Sequence, residues 1–504
     1  MTQIPSRAGS GLGRAALVLT LVCSLCAVAT IPAGAQNLFR QLSQDVFSGG
    51  NGQHMTEVEP GAFAYGSTIV AAFQVARVSS GGGMDIGFAT STNGGIAWTN
   101  GYLPGLTQWY QPNGSTYASA SDASVAYDLK HGVWIINTIP INNNGVDVAV
   151  NRSKDGIHWD NAIVFAKPHN ADKNWINCDN TSTSPYFGNC YIGWDNSEIQ
   201  MSTSTDGGLT WSAPIPTQGF DQGICVNPVI QPNGNVVVGL YDYNVGGMAA
   251  FMSTNGGQSW TSAVYIYDAP SHGEDGDLRS AGLPSTAIDG AGNVFVSWPD
   301  CSFESGCNAN DIVYSSSSDG IHWSSIVRVP IDPINSGVDH FIHGMGIDPK
   351  TSGSTAHLAI TYYYYPVSNC GNSCTLYAGY TQSSDGGATW TAGRQISAGM
   401  QLSWLPNTFS GRMVADYVAT VFPAGGRAFP IYVIANQPVN GIYQQAVYTE
   451  GYGFTFSGGS EPTFSSANDV PIPGAKSDHP PRRPEDRDNE LPSQAGRTAP
   501  PEHE

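Results

Sequence analysis

The feature that most constrains this chain is a phrase of seven or eight residues that ends in tryptophan and occurs six times. The copies are STNGGIAW (91–98), SKDGIHW (153–159), STDGGLTW (204–211), STNGGQSW (253–260), SSDGIHW (317–323) and SSDGGATW (383–390). Their tryptophans are 61, 52, 49, 63 and 67 residues apart. Recurrence at such intervals indicates that one small structural unit is repeated along the chain.

Each copy has the composition of a tight turn. Asp-Gly-Gly or Asn-Gly-Gly supplies residues that tolerate positive φ. The Asp or Asn oxygen can accept hydrogen bonds from nearby backbone N–H groups, and the tryptophan can bury a large apolar area beside the turn. The phrase is therefore predicted to be scaffolding rather than an active site.

The segments around the phrase alternate apolar with small or polar residues, as strands do. MDIGFATS (84–91), NDIVYSSS (310–317) and LYAGYTQS (376–383) precede copies directly. Further upstream, 122–140, 227–242 and 284–300 each have a strand–turn–strand pattern. About four strands per repeat predict the blades of an all-β propeller.

The number of blades depends on one unit without the phrase. Residues 413–449 have the strand pattern but no copy, so we expect seven blades, with six as the alternative. The segment 37–47 is a candidate strand that completes the last unit.

These copies match the Asp-box, or BNR, repeat Ser-x-Asp-x-Gly-x-x-Trp, and the chain resembles the sialidase-like superfamily of β-propellers over about residues 56–452. The resemblance implies that the boxes lie on outer turns and that ligands bind at a mouth of the central channel. It also implies a carbohydrate ligand. The Arg-Ile-Pro element that precedes the first Asp box of catalytic sialidases is absent.

Both ends of the chain differ from its middle. Two arginines lead into the apolar run 15–29, and Ala33-Gly34-Ala35 follows, so 1–35 is predicted to be a signal peptide of a secreted protein. Residues 36–465 are the predicted propeller domain. Residues 466–504 are rich in proline and charge and are expected to be a disordered tail.

Composition excludes several classes of function. With 60 glycines and only 12% charged residues, a helical bundle is excluded, and a net charge of −20 argues against nucleic acid or an anionic membrane as partner. No stretch after the signal peptide is apolar enough to span a membrane. We expect a monomer.

Seven cysteines follow the predicted signal peptide. Cys178/Cys190, Cys301/Cys307 and Cys370/Cys374 are close pairs, which in an oxidising compartment predicts local disulfides. Cys225 is left over.

The segments that open each repeat carry most of the scarce charge, and in a propeller they would converge on the axis. The catalytic candidates are Glu59, Asp122, Glu274 and Tyr417. The substrate-binding candidates are Glu57, Lys173, Asp277, Arg279, His340, Arg412 and Asp416. The alternative is a mutually neutralising channel lining that only fixes blade order. No metal site or cofactor is predicted, although acidic loops such as 194–198 leave calcium open.

Three candidates have a specific chemical rationale. The guanidinium groups of Arg279 and Arg412 could each hold a carboxylate, which sialic acid presents, and otherwise would pair with a neighbouring aspartate. Tyr417 could act as a nucleophile beside a carboxylate, as the resemblance to sialidases implies.

Two functions remain open from the sequence. The first is a secreted propeller acting on carbohydrate, specifically an exo-glycosidase of sialidase type that hydrolyses terminal sugars with paired acids or with tyrosine and glutamate. The alternative is a non-catalytic extracellular scaffold that binds glycan or protein. Whether the chain is an enzyme is undecided by its sequence.

Overall fold

The computed structural model describes residues 39–280, 282–456 and 462–476, and all of them fall within a single compact unit. The predicted signal peptide and residues 477–504 of the predicted tail lie outside the described residues. The described fold is all β, and its helices are four short 3₁₀ turns: Ser305–Cys307, Gly353–Thr355, Gly371–Ser373 and Leu402–Trp404. None of the described helices is long and apolar enough to cross a bilayer.

The strands form successive antiparallel groups of four, as the repeats predict. Strand β1 is Phe39–Gln41. The first group is β2 (Gly52–Tyr65), β3 (Thr68–Val78), β4 (Gly83–Ser91) and β5 (Thr99–Tyr102). The second is β6 (Ser119–Asp128), β7 (Val133–Asn142) with the short β8 (Gly145–Val146), β9 (Val148–Ser153) and β10 (Ile163–Ala166). The third is β11 (Asp172–Cys178), β12 (Cys190–Asn196), β13 (Glu198–Ser204) and β14 (Ile215–Pro216).

The pattern continues to the end of the described chain. The fourth group is β15 (Gly223–Ile230), β16 (Val236–Asp242), β17 (Gly247–Ser253) and β18 (Val264–Asp268). The fifth is β19 (Ser285–Ile288), β20 (Val294–Asp300), β21 (Asp311–Ser317) and β22 (Val327–Arg328). The sixth is β23 (Asp339–Ile347), β24 (Leu358–Tyr365) and β25 (Thr375–Ser383), followed by the short strands β26 (Trp390–Thr391), β27 (Arg394–Gln395) and β28 (Met400–Gln401). A small hairpin, β29 (Asn407–Thr408) and β30 (Gly411–Arg412), precedes β31 (Ala419–Val421), β32 (Phe429–Val439) and β33 (Ile442–Glu450), and β34 is Thr463–Phe464.

The first strands of these groups lie side by side. In chain order β2, β6, β11, β15, β19, β23 and β31 each contact the next, and β31 also contacts β2. The first, second and last groups are counted as one 13-stranded sheet because the single residue pairs Thr56–Gln445 and Gly83–Ala120 link them.

The prediction that the start of the domain pairs with the last unit is confirmed. β1 is antiparallel to β33, with Phe39 opposite Glu450. The N–H of Leu42 then donates to the carbonyl of Val447 at 2.8 Å, and the Leu42 side chain is buried. The two ends of the domain therefore share one sheet.

All six copies of the repeated phrase form the same turn after the third strand of their group. The opening serine ends that strand, and its Oγ accepts the N–H of the last glycine of the copy at 2.8–3.0 Å in every case. In the copy at 204–211, Oδ1 of Asp206 also accepts the N–H groups of Leu209 and Thr210, both at 3.0 Å.

The glycines of the phrase also bring neighbouring groups together. Gly208 has φ 79°, and a Cβ there would lie 2.9 Å from Cδ1 of Ile135 on the second group. Gly95 has φ 86°, and a Cβ there would overlap the ring of Phe429 on the last group. The phrase is thus a turn that also packs against the preceding sheet.

The three predicted disulfides are confirmed: Cys178–Cys190, Cys301–Cys307 and Cys370–Cys374. The first joins facing residues of β11 and β12. The other two lie in the loops between the second and third strands of the fifth and sixth groups. Cys225 is a free, buried thiol.

Residues on both sides of the predicted domain boundary at 465 contact the rest of the domain. β34 pairs with β26. A carboxylate oxygen of Asp469 lies 3.5 Å from the guanidinium of Arg328, and the N–H of Ile472 donates to the carbonyl of Ser302 at 2.6 Å. Residues 462–476 therefore lie against the fifth and sixth groups.

Candidate functional site

The first strand of five groups contains the same irregularity at the same place. The pairing with the second strand shifts register at this point in β2, β6, β11, β15 and β23. Within each shift one non-glycine residue has positive φ: Glu59 (53°), Asp122 (50°), Lys173 (43°), Cys225 (64°) and Ile342 (44°). Such β-bulges redirect a side chain, and they are common beside functional sites.

Three of these bulge residues meet two residues from other segments in one ionic cluster. We call Glu59, Asp122, Lys173, Arg279 and Asp416 the axial cluster. Nζ of Lys173 lies 2.7 Å from Asp416, 3.4 Å from Glu59 and 3.5 Å from Asp122. Arg279 holds Asp416 through two nitrogens, with Nε 2.8 Å from Oδ1, and its third contact is Glu59 at 3.6 Å.

Two neighbouring carboxyl groups of the axial cluster have pKa values shifted in opposite directions. Burial raises the pKa of Glu59 well above its usual range, with Lys173 opposing and Asp416 and Asp122 adding to the rise. Burial also acts to raise the pKa of Asp416, but Arg279 and Lys173 outweigh it and hold that pKa well below its usual range. Of the two groups, Glu59 is therefore the one that holds a proton, and Asp416 is the one that is ionised.

The axial cluster is sealed from solvent. Its five side chains are 0–5% exposed. Two segments lie together over it, because the N–H of Arg279 donates to the carbonyl of Arg412 at 2.8 Å and the N–H of Arg412 donates to the carbonyl of Asp277 at 2.7 Å. A substrate has no access to these carboxylates in this arrangement.

Tyr417 forms the boundary of the axial cluster. Its ring lies 5.7 Å from Nζ of Lys173, meets Trp175 edge to face at 4.7 Å, and packs with Cys225 and Leu283 from the fourth and fifth groups. Burial raises the pKa of its hydroxyl well above the usual range. Among the described residues this hydroxyl has no hydrogen-bond partner.

The structure does not bring the other candidates into the axial cluster. Glu274 lies in a separate group with Asn310, whose amide nitrogen is 3.5 Å from Glu274 and 3.1 Å from Asp339. Burial raises the pKa of Glu274 to about 8, and Asp339 adds to the rise. His272 also contacts Asp339, with Nδ1 3.2 Å from its carboxylate. Within this second group, Glu274 is half-buried.

The remaining four candidates have local roles. Glu57 is buried under β1 and accepts the hydroxyl of Ser43 at 2.8 Å. Asp277 is exposed, and Nη1 of Arg412 reaches only the carbonyl of Gly276, at 3.4 Å. His340 is buried with Nδ1 3.1 Å from the carbonyl of Asn310.

Two groups of described residues outside the axis have donor atoms close enough to hold a cation, but in one of them, Asp275 with Cys370 and Cys374, the two sulfurs form a disulfide. The other group is Asp311, Asp332 and His340. Arg328 already pairs with both carboxylates of this group, with Nε 2.8 Å from Asp311 and Nη2 3.1 Å from Asp332. The acidic loop considered for calcium is a tight turn in which Oδ1 of Asp195 accepts the N–H of Ser197 at 3.1 Å.

Beyond Trp175 and Tyr417 lies a cavity of about 330 Å³. We call it the channel. It is lined by all the first strands and by residues of the turns that follow them, such as Asn180 and Pro349. Because first and third strands run in the same direction, this mouth is at the end of the molecule that carries the repeated turns. No charged side chain is among the described residues that line it.

Sequence reasoning selected mainly charged residues and therefore found, of the residues that line the channel, Tyr417. Trp175 and Asn227 also line the channel, and neither is distinguished in the sequence from ordinary strand residues. Sequence reasoning also missed Gln74, whose amide bridges Glu59 and Ser121. Only the alternation of β3, which places a glutamine amid buried apolar residues, marks that position.

Comparison with known proteins finds solved structures that resemble this chain only distantly, with TM-scores below 0.5. No family model matches the sequence, and no curated protein matches it. Among solved structures, the Hadza microbial sialidase Hz136 is 16% identical over 65% of this chain and 66% of its own, with a TM-score of 0.43. A leech intramolecular trans-sialidase is 12% identical over 78% and 67%, with a TM-score of 0.41. A protein of unknown function from Dyadobacter fermentans is 14% identical over 68% and 99%, with a TM-score of 0.43. Likeness at this level concerns the fold alone.

Proposed function

We propose that this protein is a secreted, sialidase-like β-propeller that binds carbohydrate and does not hydrolyse it. The observation that carries the proposal is the sealing of the axial cluster. Its carboxyl groups are buried against Lys173 and Arg279, so neither a general acid nor a nucleophile faces solvent there. The channel, which is open at the other end, is lined by described residues without charge, so it lacks the paired acids that glycoside hydrolysis needs.

The experiment that tests this proposal measures turnover and binding on the same preparation. Fluorogenic sialosides and a panel of neutral fluorogenic glycosides should give no release above a heat-denatured control. A glycan array with the same protein should give binding to at least one glycan. Turnover that disappears in Arg279→Ala would contradict the proposal, as would an array without any bound glycan.

An exo-glycosidase is the second candidate, because Glu59 retains a proton and lies in one cluster with Asp122 and beside Tyr417. Those are the groups that a general acid, a base and a tyrosine nucleophile would supply. This function would need the segments around Asp277 and Arg412 to separate. Turnover that is lost in Tyr417→Phe would favour it.

The propeller is proposed with seven blades. Support comes from the contacts between successive first strands, including the one between β31 and β2, and from β1 completing the last group. The shared turn geometry of the six phrases supports their assignment as Asp boxes. A six-bladed ring would leave one of the four-stranded groups outside the ring.

Secretion, a monomeric state and a disordered end of the tail are also part of the proposal. Three disulfides support an oxidising compartment. The net charge of −20 opposes binding to nucleic acid. We propose no metal or cofactor, and calcium enters only as a condition to vary in the glycan array.

A further inference from the structure

We propose that the channel is the ligand site and that it takes one neutral sugar, end on, through the mouth beside the repeated turns. This inference rests on the proposed function and specifies its site and ligand class. It places binding on the side of Tyr417 that lies away from the axial cluster, and of the candidates selected from the sequence it keeps Tyr417.

The floor of the channel is aromatic. Tyr417 and Trp175 meet edge to face at 4.7 Å, and both line the cavity. Aromatic rings combine a large apolar face with a polar edge, so they suit the face of a sugar ring. Tyr417 reaches across to Cys225 and Leu283, so the cavity ends at this floor and a polymer cannot thread through it.

The polar groups of the channel are neutral. Asn227 contributes a half-buried amide that has no side-chain hydrogen bond within the described part of the chain. Another lining amide, Asn177, is already bonded: its Nδ2 donates to the carbonyl of Pro228 and its Oδ1 accepts the N–H of Cys178. Because an amide both donates and accepts hydrogen bonds, Asn227 can bind hydroxyls of a sugar ring. Since no charged side chain is among the described lining residues, a carboxylate-bearing sugar would lose its hydration without gaining a counterion.

Size limits the ligand. A cavity of about 330 Å³ is at the lower end of the usual range for small-molecule pockets, roughly 300–1,000 Å³. The ligand is therefore a free monosaccharide or the terminal residue of a neutral glycan. These two sources share one chemistry, a polyhydroxylated ring, and the test has one arm for each.

The test measures binding of wild type and Asn227→Leu to methyl glycosides of galactose, mannose and N-acetylglucosamine by calorimetry, and to a glycan array. Asn227→Leu should weaken binding about 3-fold to 10-fold, the usual range for one lost hydrogen bond. Binding both to the methyl glycosides and on the array would show that one sugar ring is sufficient for binding. Binding on the array alone would show that the ligand is the terminal residue of a glycan.

Asn143→Leu is the matched control, because Asn143 is an asparagine that does not line the channel. It should leave affinity unchanged. Asn227→Leu should not lower the thermal midpoint of the free protein, since the Asn227 amide makes no side-chain hydrogen bond within the described residues. Weaker binding with unchanged stability is a result that misfolding cannot produce.

Three results would overturn this inference. Glycan binding that is unaffected in Asn227→Leu would leave the proposed function standing and remove the channel from it. Binding restricted to sialylated or sulfated glycans would do the same. Binding of an apolar probe such as anilinonaphthalene sulfonate that no sugar displaces would show that the channel takes a different ligand class.

Discussion

At the residue scale, Asp416 is the side chain on which the axial cluster depends. It is the nearest carboxylate to both cations, Lys173 at 2.7 Å and Nε of Arg279 at 2.8 Å, whereas Glu59 lies 3.4 Å and 3.6 Å from them. Removing one partner of a buried ion pair leaves an uncompensated charge that costs about 3–5 kcal/mol, far more than the pair itself contributes.

The first prediction concerns Asp416→Asn. We expect it to lower the free energy of unfolding by about 3 kcal/mol or more at pH 5, measured by urea denaturation. Asp160→Asn, at a 73% exposed carboxylate 3.8 Å from Arg152, should cost less than about 1 kcal/mol. The loss in Asp416→Asn should shrink as pH rises, because Glu59 can then ionise and replace the missing charge. Equal losses in the two variants would mean that the axial cluster contributes nothing beyond a surface pair.

A second prediction at this scale concerns pH. Burial raises the pKa of Glu57 to about 8 and, despite a hydrogen bond from Thr107, that of Asp85 to about 8. The folded state therefore binds more protons than the unfolded state between about pH 4 and pH 8. Their contribution is complete below the unfolded pKa and is lost as pH rises through about 8.

We therefore expect the unfolding free energy to fall from pH 5 to pH 8, with up to about 1.4 kcal/mol per pH unit from each group. Asp85→Asn and Glu57→Gln should each flatten this slope, and Asp160→Asn should not. Urea midpoints at four pH values measure it. A stability that rises over this interval would contradict the raised pKa values.

Some of this residue-level organisation was predictable from sequence. The scarce charges at the starts of the repeats gave a larger set of candidates that were expected to converge, and the structure brings five of them, Glu59, Asp122, Lys173, Arg279 and Asp416, into one cluster. Their pairing was not predictable, because it depends on side chains 243 residues apart, such as Lys173 and Asp416. Glu57 is two residues from Glu59, yet it faces β1, because the register shift after Val58 intervenes.

At the element scale, the repeated turn has a recognisable sequence motif, whereas the bulge in the first strands has none. The turn needs particular side chains, because serine and aspartate oxygens accept hydrogen bonds from its backbone N–H groups. Its six copies can therefore be recognised in the sequence. The bulge needs only a backbone conformation. The residues with positive φ at the five bulges are Glu, Asp, Lys, Cys and Ile, so the bulge has no sequence motif.

This difference explains which part of the fold could be predicted. The strands, hairpins and turns follow from local chemistry. The bulges depend on contacts between the first strands of neighbouring groups, and these contacts exist only once the sheets are assembled. Ile342 shows the strength of that constraint, since positive φ costs a β-branched residue about 1–2 kcal/mol.

The third prediction concerns the turn at 204–211. Asp206→Ala removes the acceptor of the Leu209 and Thr210 N–H groups and should cost about 1–2 kcal/mol, measured as a lower unfolding free energy. Asp206→Asn should cost less than half as much, because Asn93 and Asn255 occupy the same position in two other copies and accept equivalent bonds. Equal losses in the two variants would mean that charge, rather than the acceptor oxygen, stabilises the turn.

At the scale of the whole molecule, the question is how a chain of four-stranded groups is held together end to end. Each group is continuous in sequence except the last, whose fourth strand comes from the start of the domain. Separating β1 would expose the edge of β33 and uncover Glu57, because Ser43 bonds both Glu57 and the N–H of Val447. β1 is therefore where folding of the two ends is coupled.

The last prediction tests that coupling. Leu42→Ala removes a side chain that is 1% exposed and should lower the unfolding free energy by about 2–5 kcal/mol, whereas Phe39→Ala, at a side chain 51% exposed, should cost less than about 1 kcal/mol. If β1 couples the two ends, Leu42→Ala should shift urea transitions followed by tryptophan fluorescence and by far-ultraviolet circular dichroism to the same lower midpoint. A local attachment would instead give early loss of proteolytic protection at the first 15 residues of the domain, with the main transition unmoved.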